Sequence, residues 1–306
     1  MKLSQLGEFG LIDQLTKLLG VSRKGARLGI GDDAAAIELK TKGSLLLITT
    51  DTLIENVHFK LKTTSFTDLG NKALAINISD VAAMGGVPAY ALVTIGASKT
   101  VPVKNIRQIY KGVDKLARRH GIEVIGGDTV SSRDLIVSIT LLGEVEKKYL
   151  LTRAGAKPGD LILVTGDFGG PAAAGYDSRK WKVESRTQEA RMIAKSQIAT
   201  AMIDSSDGLA RSVLEICKAS RVGAVIYEKE IPLARGANVQ QGLHGGEEYE
   251  LVFTAPAEAV KKIKKLLGKT PLSIVGDILL RKKGVNVLDL TGRVKALKNG
   301  GYEHFK

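Results

Sequence analysis

The chain has a single cysteine, Cys217, in 306 residues. That excludes an intrachain disulfide and a cysteine metal cage. With Val213 and Leu214 beside it in a helical pattern, Cys217 reads as a core thiol. There are four histidines, and aromatic residues make up 5%. Zinc chemistry and an aromatic RNA-recognition surface therefore both lack their materials. No stretch reaches the ~18 apolar residues of a membrane span. The opening residues from Met1 to Glu8 lack the apolar core of a signal peptide. The expectation is a cytoplasmic protein with no membrane partner. Gly96-Ala-Ser-Lys99-Thr100 ends like a phosphate-binding P-loop but lacks its glycine spacing. Asp167-Phe-Gly169 and Arg133-Asp134-Leu135 echo protein-kinase motifs, without the histidine, lysine and glycine-rich loop that would accompany them. Gly29, Gly31 and Ala34 match a loose dinucleotide fingerprint, but no clear strand precedes them and two aspartates would repel a pyrophosphate. No Ser/His/Asp or Cys/His set stands out, so no residue is assigned as a catalytic nucleophile or base.

What is present is ordinary in bulk. The length suggests roughly two domains of ~100–200 residues each. An apolar content of 44% with 25% charged residues fits a soluble globular protein. The formal charge of +13 could serve nucleic acid, an acidic membrane or small polyanions. The basic residues are dispersed, however. The cluster Lys261, Lys262, Lys264 and Lys265 alternates with Val260, Ile263, Leu266 and Leu267 as a solvated helix face would. A nucleic-acid partner is not expected.

Strand and helix patterns alternate along the chain, which indicates an α/β (α+β) protein of two mixed domains. The first half reads as a helix over 11–19, a tight turn at Gly29 to Asp33, and a buried strand over 45–50 that ends at Asp51. A helix from about Asp68 follows, with Asp68 as N-cap and Gly85-Gly86 as the stop. Next come a strand over 90–97, an amphipathic helix over 104–120 and a strand over 123–125 running into a glycine turn at 126–129. A strand over 135–143 closes this half. The charged stretch 144–151 is where the pattern restarts, so the domains are set at 1–146 and 147–306. The second half reads as strands near 161–165, 201–203, 224–227, 251–254, 273–275 and 285–288, with helices over 209–220 and 258–267. Residues 175–195 are polar and poorly patterned.

The chemistry lies in where the carboxylates fall. The helix that ends in Ile76-Asn-Ile-Ser-Asp80-Val-Ala-Ala-Met-Gly-Gly86 is apolar on most faces, yet Asp80 shares a face with Leu69, Ala73 and Ile76. A buried carboxylate needs a cation or a dense set of donors. Asp32 and Asp33 follow Gly31, Asp51 ends an apolar strand, Asp128 follows Gly126-Gly127, and Asp204 and Asp207 flank Ser205-Ser206. Taken singly, such aspartates cap helices or close turns. Gathered at one place they would repel one another without cations, and aspartate and hydroxyl oxygens suit a hard cation, above all Mg2+.

Seven motifs in order carry a resemblance. They are Gly29-Ile-Gly-Asp-Asp33-Ala34, Thr49-Thr-Asp-Thr-Leu53 with His58-Phe59, Lys72 to Gly85, Gly126-Gly-Asp-Thr129, Leu151 to Asp160, Asp204-Ser-Ser-Asp-Gly-Leu209 and Gly245-Gly-Glu-Glu-Tyr-Glu-Leu251. Together the chain resembles the thiamine-monophosphate kinase family, over nearly its whole length. That family belongs to a superfamily shared with aminoimidazole ribonucleotide synthetase and selenophosphate synthetase. The resemblance implies an N-terminal domain that dimerises into a β-barrel, with an ATP cleft at the domain junction. On the sequence, the apolar strands over 45–50 and 90–97 would need partners on both edges, which such a homodimer would supply.

The resemblance also implies residue roles. Metal ligation falls to Asp33, Thr49, Thr50, Asp51, Asp80, Asp128, Asp204 and Asp207. The nucleotide would meet Asp33, Gly127, Asp128, Arg153 and Ser206, and Tyr110, which a core position would equally suit. His58, Glu247 and Tyr302 would surround thiamine monophosphate. The segment around 171–200 departs from the family by being short and polar, and no site residue is assigned there. The implied reaction is transfer of the ATP γ-phosphoryl directly to a phosphate oxygen of thiamine monophosphate, with several Mg2+ ions. Two alternatives are another ATP-dependent enzyme of the superfamily and a non-catalytic Mg-nucleotide sensor. The cysteine that selenophosphate synthetase or the hydrogenase-maturation relative would place near a terminus is not there.

Overall fold

The computed structural model describes residues 26–28, 32–38, 43–297, 301, 303 and 304. The helix expected over 11–19, the turn residues Gly29 to Gly31 and the side chain of Tyr302 lie outside them. The first part builds a six-stranded sheet. Its strands are β1 (Ala26–Leu28), β2 (Ala35–Glu38), β3 (Ser44–Ile54), β4 (Val87–Ala97), β5 (Glu123–Ser131) and β6 (Ile136–Glu146), in the order β1-β2-β3-β6-β4-β5. Two helices accompany them, α1 (Phe66–Ala83) and α2 (Val103–His120).

Alternation sets the faces of this sheet. Along β6, Val137, Ile139, Leu141 and Val145 are buried while Ile136, Ser138, Thr140 and Leu142 are only partly covered. The buried side receives α1, and α2 packs on α1. The two helices meet backbone to backbone. A Cβ on Gly112 would lie 2.0 Å from the Thr67 carbonyl oxygen, and one on Gly70 equally close to that of Ile109 at 2.0 Å. Only glycine allows that approach.

Three expectations are corrected here. Ser65, not Asp68, caps α1: its Oγ accepts the Asp68 N–H at 3.0 Å and donates to Asp68 Oδ2 at 2.8 Å. Asp68 is therefore the third helical residue, where an acid suits the helix dipole. The stop at Gly85-Gly86 holds, with Gly85 at φ 72. Asp51 lies inside β3, not at its end. Gly126 to Thr129 form no turn but run within β5. Gly127 is needed there because a Cβ would sit 1.8 Å from the Val93 carbonyl oxygen of the neighbouring strand.

A fourth correction concerns the edges. β3 pairs with β2 and β6, and β4 with β5 and β6, all within the chain. Neither strand wants a partner from outside. β1 and β5 are the edges; β5 is exposed along its whole length, and among the described residues the sheet is not closed into a barrel.

The second part builds a seven-stranded sheet from β7 (Asp160–Thr165), β8 (Ala201–Asp204), β9 (Gly223–Tyr227), β10 (Leu251–Pro256), β11 (Leu272–Leu279), β12 (Val285–Leu288) and β13 (Val294–Ala296), ordered β13-β12-β9-β11-β7-β10-β8. The helices are α3 (Gly170–Ala173), α4 (Thr187–Ser196), α5 (Leu209–Ser220), α6 (Val239–His244) and α7 (Val260–Leu267). Leu163 and Phe253 pack with Ile193 of α4 and Ile263 of α7, whereas Ile162, Val164 and Val252 pack with Val213 and Ile216 of α5. The sheet is thus covered on both faces. The lysine run of α7 is the amphipathic surface its spacing predicts, with Ile263 and Leu267 buried. The chain is a mixed α/β protein. Helix α1 is its pivot: it lies on the first sheet and also touches α4 and β8 of the second part. Among the described residues, no helix is long and apolar enough to cross a membrane.

Candidate active site

The segment before β2, strand β3, helix α1 and the end of β8 bring the carboxylates together at this pivot. Thr49, Asp51 and Leu53 share the face of β3 that looks onto α1. Thr49 Oγ1 donates to Asp80 Oδ2 at 2.6 Å. Carboxylate oxygens of Asp33, Asp80 and Asp204 all lie within 4.8 Å of one another. Burial pushes Asp80 well above the usual carboxylate range, and Asp51, Asp204 and Asp33 push it further. Burial, with Asp33 next, lifts Asp204 to about 8. Asp51 is raised by burial too, against a bond with Asp80 that lowers it. Protein alone does not satisfy this cluster. Asp33 Oδ2 and Asp204 Oδ2 are buried with no hydrogen-bond partner among the described residues. Oxygen donors, crowded negative charge and orphaned buried lone pairs together describe a seat for a hard cation.

Arg153 closes one side. Its Nη2 lies 2.5 Å and its Nε 3.2 Å from Asp33 Oδ1, and its backbone N–H reaches Asp32 Oδ2 at 3.3 Å. Asp32 rises to about 7, through burial first and Asp33 second, with Arg153 pulling the other way. Arg153 also lines a small depression with Asp204, Ser206 and Asp207. The other expected residues fall elsewhere. Thr50 points to the opposite face of the sheet, where its Oγ1 donates to the Ile139 carbonyl at 3.1 Å. Gly127 and Asp128 lie on the exposed edge strand β5, and Asp128 Oδ1 accepts its neighbour Thr129 N–H at 2.7 Å. Tyr110 is 37% exposed on α2, so it is no core aromatic.

The second part contributes a strained loop. Gly246, Glu247 and Tyr249 all have left-handed backbones, at φ 72, 65 and 54, and at Glu247 and Tyr249 that is costly for a residue with a side chain. The loop is held by two bonds to the aspartate turn, Glu247 N–H to the Ser206 carbonyl at 2.7 Å and Tyr249 N–H to that of Ser205 at 2.9 Å. It presents Glu247 to α1, where Lys72 Nζ lies 2.6 Å from Glu247 Oε1. The same ammonium donates to the His58 carbonyl at 3.3 Å. His58 Nδ1 accepts the Ile54 N–H at 3.0 Å, and its Nε2 lies 3.2 Å from His304 Nε2. His58 and Glu247, far apart in sequence, are thus joined through Lys72. Beside them opens a small cavity, partly open to solvent, bounded by Asn71, Lys72, Glu247, Tyr176 and Trp181. Sequence reasoning missed Lys72, Tyr176, Trp181 and the buried Tyr249. The one signal available was a lysine on a helix otherwise apolar on most faces.

Comparison with known proteins bears on what such a site is for. A family model described as AIR synthase related protein, N-terminal domain, matches residues 31–145, and its C-terminal counterpart matches residues 157–287. The thiamine-monophosphate kinase of Bacillus subtilis is 34% identical over 98% of this chain and 100% of its own. That of Synechococcus elongatus is 32% identical over 99% and 98%. Among solved structures, AaThiL complexed with AMPPCP and TMP aligns with a TM-score of 0.85 at 30% identity, over 99% of both chains.

Proposed function

As a member of the thiamine-monophosphate kinase family, the chain phosphorylates thiamine monophosphate with ATP, and we propose that it does so at the junction of α1 with the two sheets. The observation that carries this placement is the cluster of Asp33, Asp80 and Asp204, with its orphaned oxygens, beside Arg153 and connected along α1 to the Lys72–Glu247 cavity. A phosphate-transfer site needs both a charged end and a pocket for the acceptor.

The donor set fits Mg2+, which would be held by Asp33, Asp51, Asp80 and Asp204, with Thr49 orienting Asp80 and Asp207 at the rim. Mg2+ there would neutralise phosphate oxygens of the two substrates. Everything else falls to the protein. Arg153 and Ser206 would hold the nucleotide phosphates at the cleft between the two parts. Glu247, Lys72 and His58 would position thiamine monophosphate so that its phosphate oxygen faces the γ-phosphoryl in line. Phosphoryl transfer is catalysed mainly by positioning and charge neutralisation. The acceptor oxygen is already ionised at neutral pH, which agrees with a site that contains no nucleophile–base pair among the residues just named.

Two finer points belong to the same proposal. The chain divides at 146–147 into a part that bears most of the cation ligands and a part that bears the acceptor loop. It works in the cytoplasm as a homodimer joined through the open side of the first sheet. Tyr90, Leu92, Val124, Ile125 and Val130 are exposed on β4 and β5, more apolar surface along one sheet edge than a monomer usually leaves.

The decisive experiment is a phosphotransfer assay against a panel of small phosphates, thiamine monophosphate and aminoimidazole-pathway precursors among them. ATP consumption and thiamine diphosphate formation in equal amounts are expected with thiamine monophosphate alone. ATP binding without turnover on any acceptor would favour a nucleotide sensor and overturn the proposal.

A further inference from the structure

The chain's single tryptophan, Trp181, lies in the polar stretch 175–195 that sequence left without a role. The structure folds that stretch across α1 and ties it down. Ser178 donates to the Thr63 carbonyl from its backbone N–H at 3.1 Å and from its Oγ at 3.2 Å. Lys182 Nζ lies 2.7 Å from Asp68 Oδ1, and Ser185 Oγ donates to the Ala75 carbonyl at 3.0 Å. These bonds hold Tyr176 and Trp181 against the cavity, with Lys72 and Glu247 among its other walls.

Both rings are fixed in place. The indole lies over Gly170, where any Cβ would come within 2.2 Å of Trp181 Cζ3. Tyr176 Oη donates to the Gly245 carbonyl at 2.7 Å, which anchors its ring to the loop that carries Glu247. Trp181 Nε1, by contrast, is buried with no hydrogen-bond partner among the described residues. An indole N–H is a donor that normally finds an acceptor when buried. The cavity therefore combines two aromatic side chains and one carboxylate.

We propose that Trp181 and Tyr176 form the wall that recognises the rings of thiamine monophosphate, with Glu247 balancing the thiazolium charge. The inference rests on the reading of this cavity as the acceptor pocket. It makes residues 176–183 the specificity element of the enzyme. A cationic heteroaromatic ring is attracted to an aromatic face.

Because Trp181 is the only tryptophan, its fluorescence in the wild-type enzyme reads the pocket directly. Titration with thiamine monophosphate should change the emission in a saturable way, with a midpoint near KM, whereas Mg-ATP alone should leave it unchanged. Trp181→Ala should raise KM for thiamine monophosphate roughly tenfold and Trp181→Phe by less, with KM for ATP within about twofold in both. Unchanged emission at saturating thiamine monophosphate in an enzyme that turns it over, or an unchanged KM in Trp181→Ala, would overturn the proposal and leave the kinase reading intact. No turnover of thiamine monophosphate by the wild type would bring down both.

Discussion

Lys72 and Glu247 form an ion pair across the junction of the two parts, 2.6 Å from Nζ to Oε1. The lysine belongs to α1, which rests on the first sheet, and the glutamate to a loop of the second. Both side chains are largely shielded, at 14% and 27% exposure, so the pair is well placed to hold the acceptor pocket in shape. Glu247→Gln should keep the fold and raise KM for thiamine monophosphate several-fold while KM for ATP changes little. Steady-state kinetics with each substrate varied in turn checks this; equal weakening toward both would mean that Glu247 supports the junction, not the acceptor.

The cation cluster makes a second prediction. Asp51→Asn and Asp80→Asn should fold, because each removes a charge that burial already disfavours. Turnover should fall by about 10²–10³, as for loss of other groups that stabilise transferred charge. Added Mg2+ should restore it only in part. Thermal melts with and without Mg2+ supply the independent readout: the wild type gains stability from the ion, and Asp80→Asn gains less. Near-normal turnover of either variant at low Mg2+ would remove that residue from the ligand set.

The open sheet edge predicts assembly. The chain should run as a dimer at micromolar concentration in sedimentation or light scattering. Leu92→Arg, which places a charge on the exposed apolar side of β4, should shift it toward monomer without lowering the melting temperature of the protomer. A monomeric wild type with full activity would refute the homodimer.

His58 provides a pH signature. Burial, His304 and Lys72 depress its pKa to about 4, against 6.5 for an exposed histidine. Between those values the unfolded chain binds the proton and the folded chain does not, so acid favours unfolding and stability rises with pH across that window. His58→Gln should flatten this part of the stability profile relative to wild type, as read by melts from pH 4 to pH 7. Parallel profiles for the two proteins would mean that His58 titrates as if exposed.

How much of this was legible in the sequence depended on range. Asp80 stood out because a carboxylate interrupting an apolar helix is an anomaly at one position. The amphipathic α2 and the strand at Val285–Leu288 were readable from local periodicity alone. Gly126-Gly127 misled, because a glycine pair signals a turn as readily as it signals two strands in close approach, and here the Val93 carbonyl decides. Lys72 and Trp181 were illegible for another reason. Lys72 meets Glu247 175 residues along the chain, and Lys182, the neighbour of Trp181, meets Asp68 114 residues back. Such pairings exist only after both sheets have folded. Within 175–195, residues up to Arg186 looked unpatterned because their order comes from hydrogen bonds to other segments, α1 among them, while α4 beyond them buries only the short face of Ala190, Ile193 and Ala194.

Helix α1 carries Lys72 in its first half and Asp80 in its last turn, eight residues on. At 1.5 Å per residue that is roughly 12 Å along the axis, fixed by a rigid rod whose backbone is jammed against α2 at Gly70 and Gly112. The helix therefore acts as a measuring stick. A molecule whose ring system docks at the lysine end has its phosphate tail delivered to the aspartate end only if the tail is of the right length. On the proposed reading of the site, the reach from ring pocket to cluster is thus written into the spacing of two side chains along one helix.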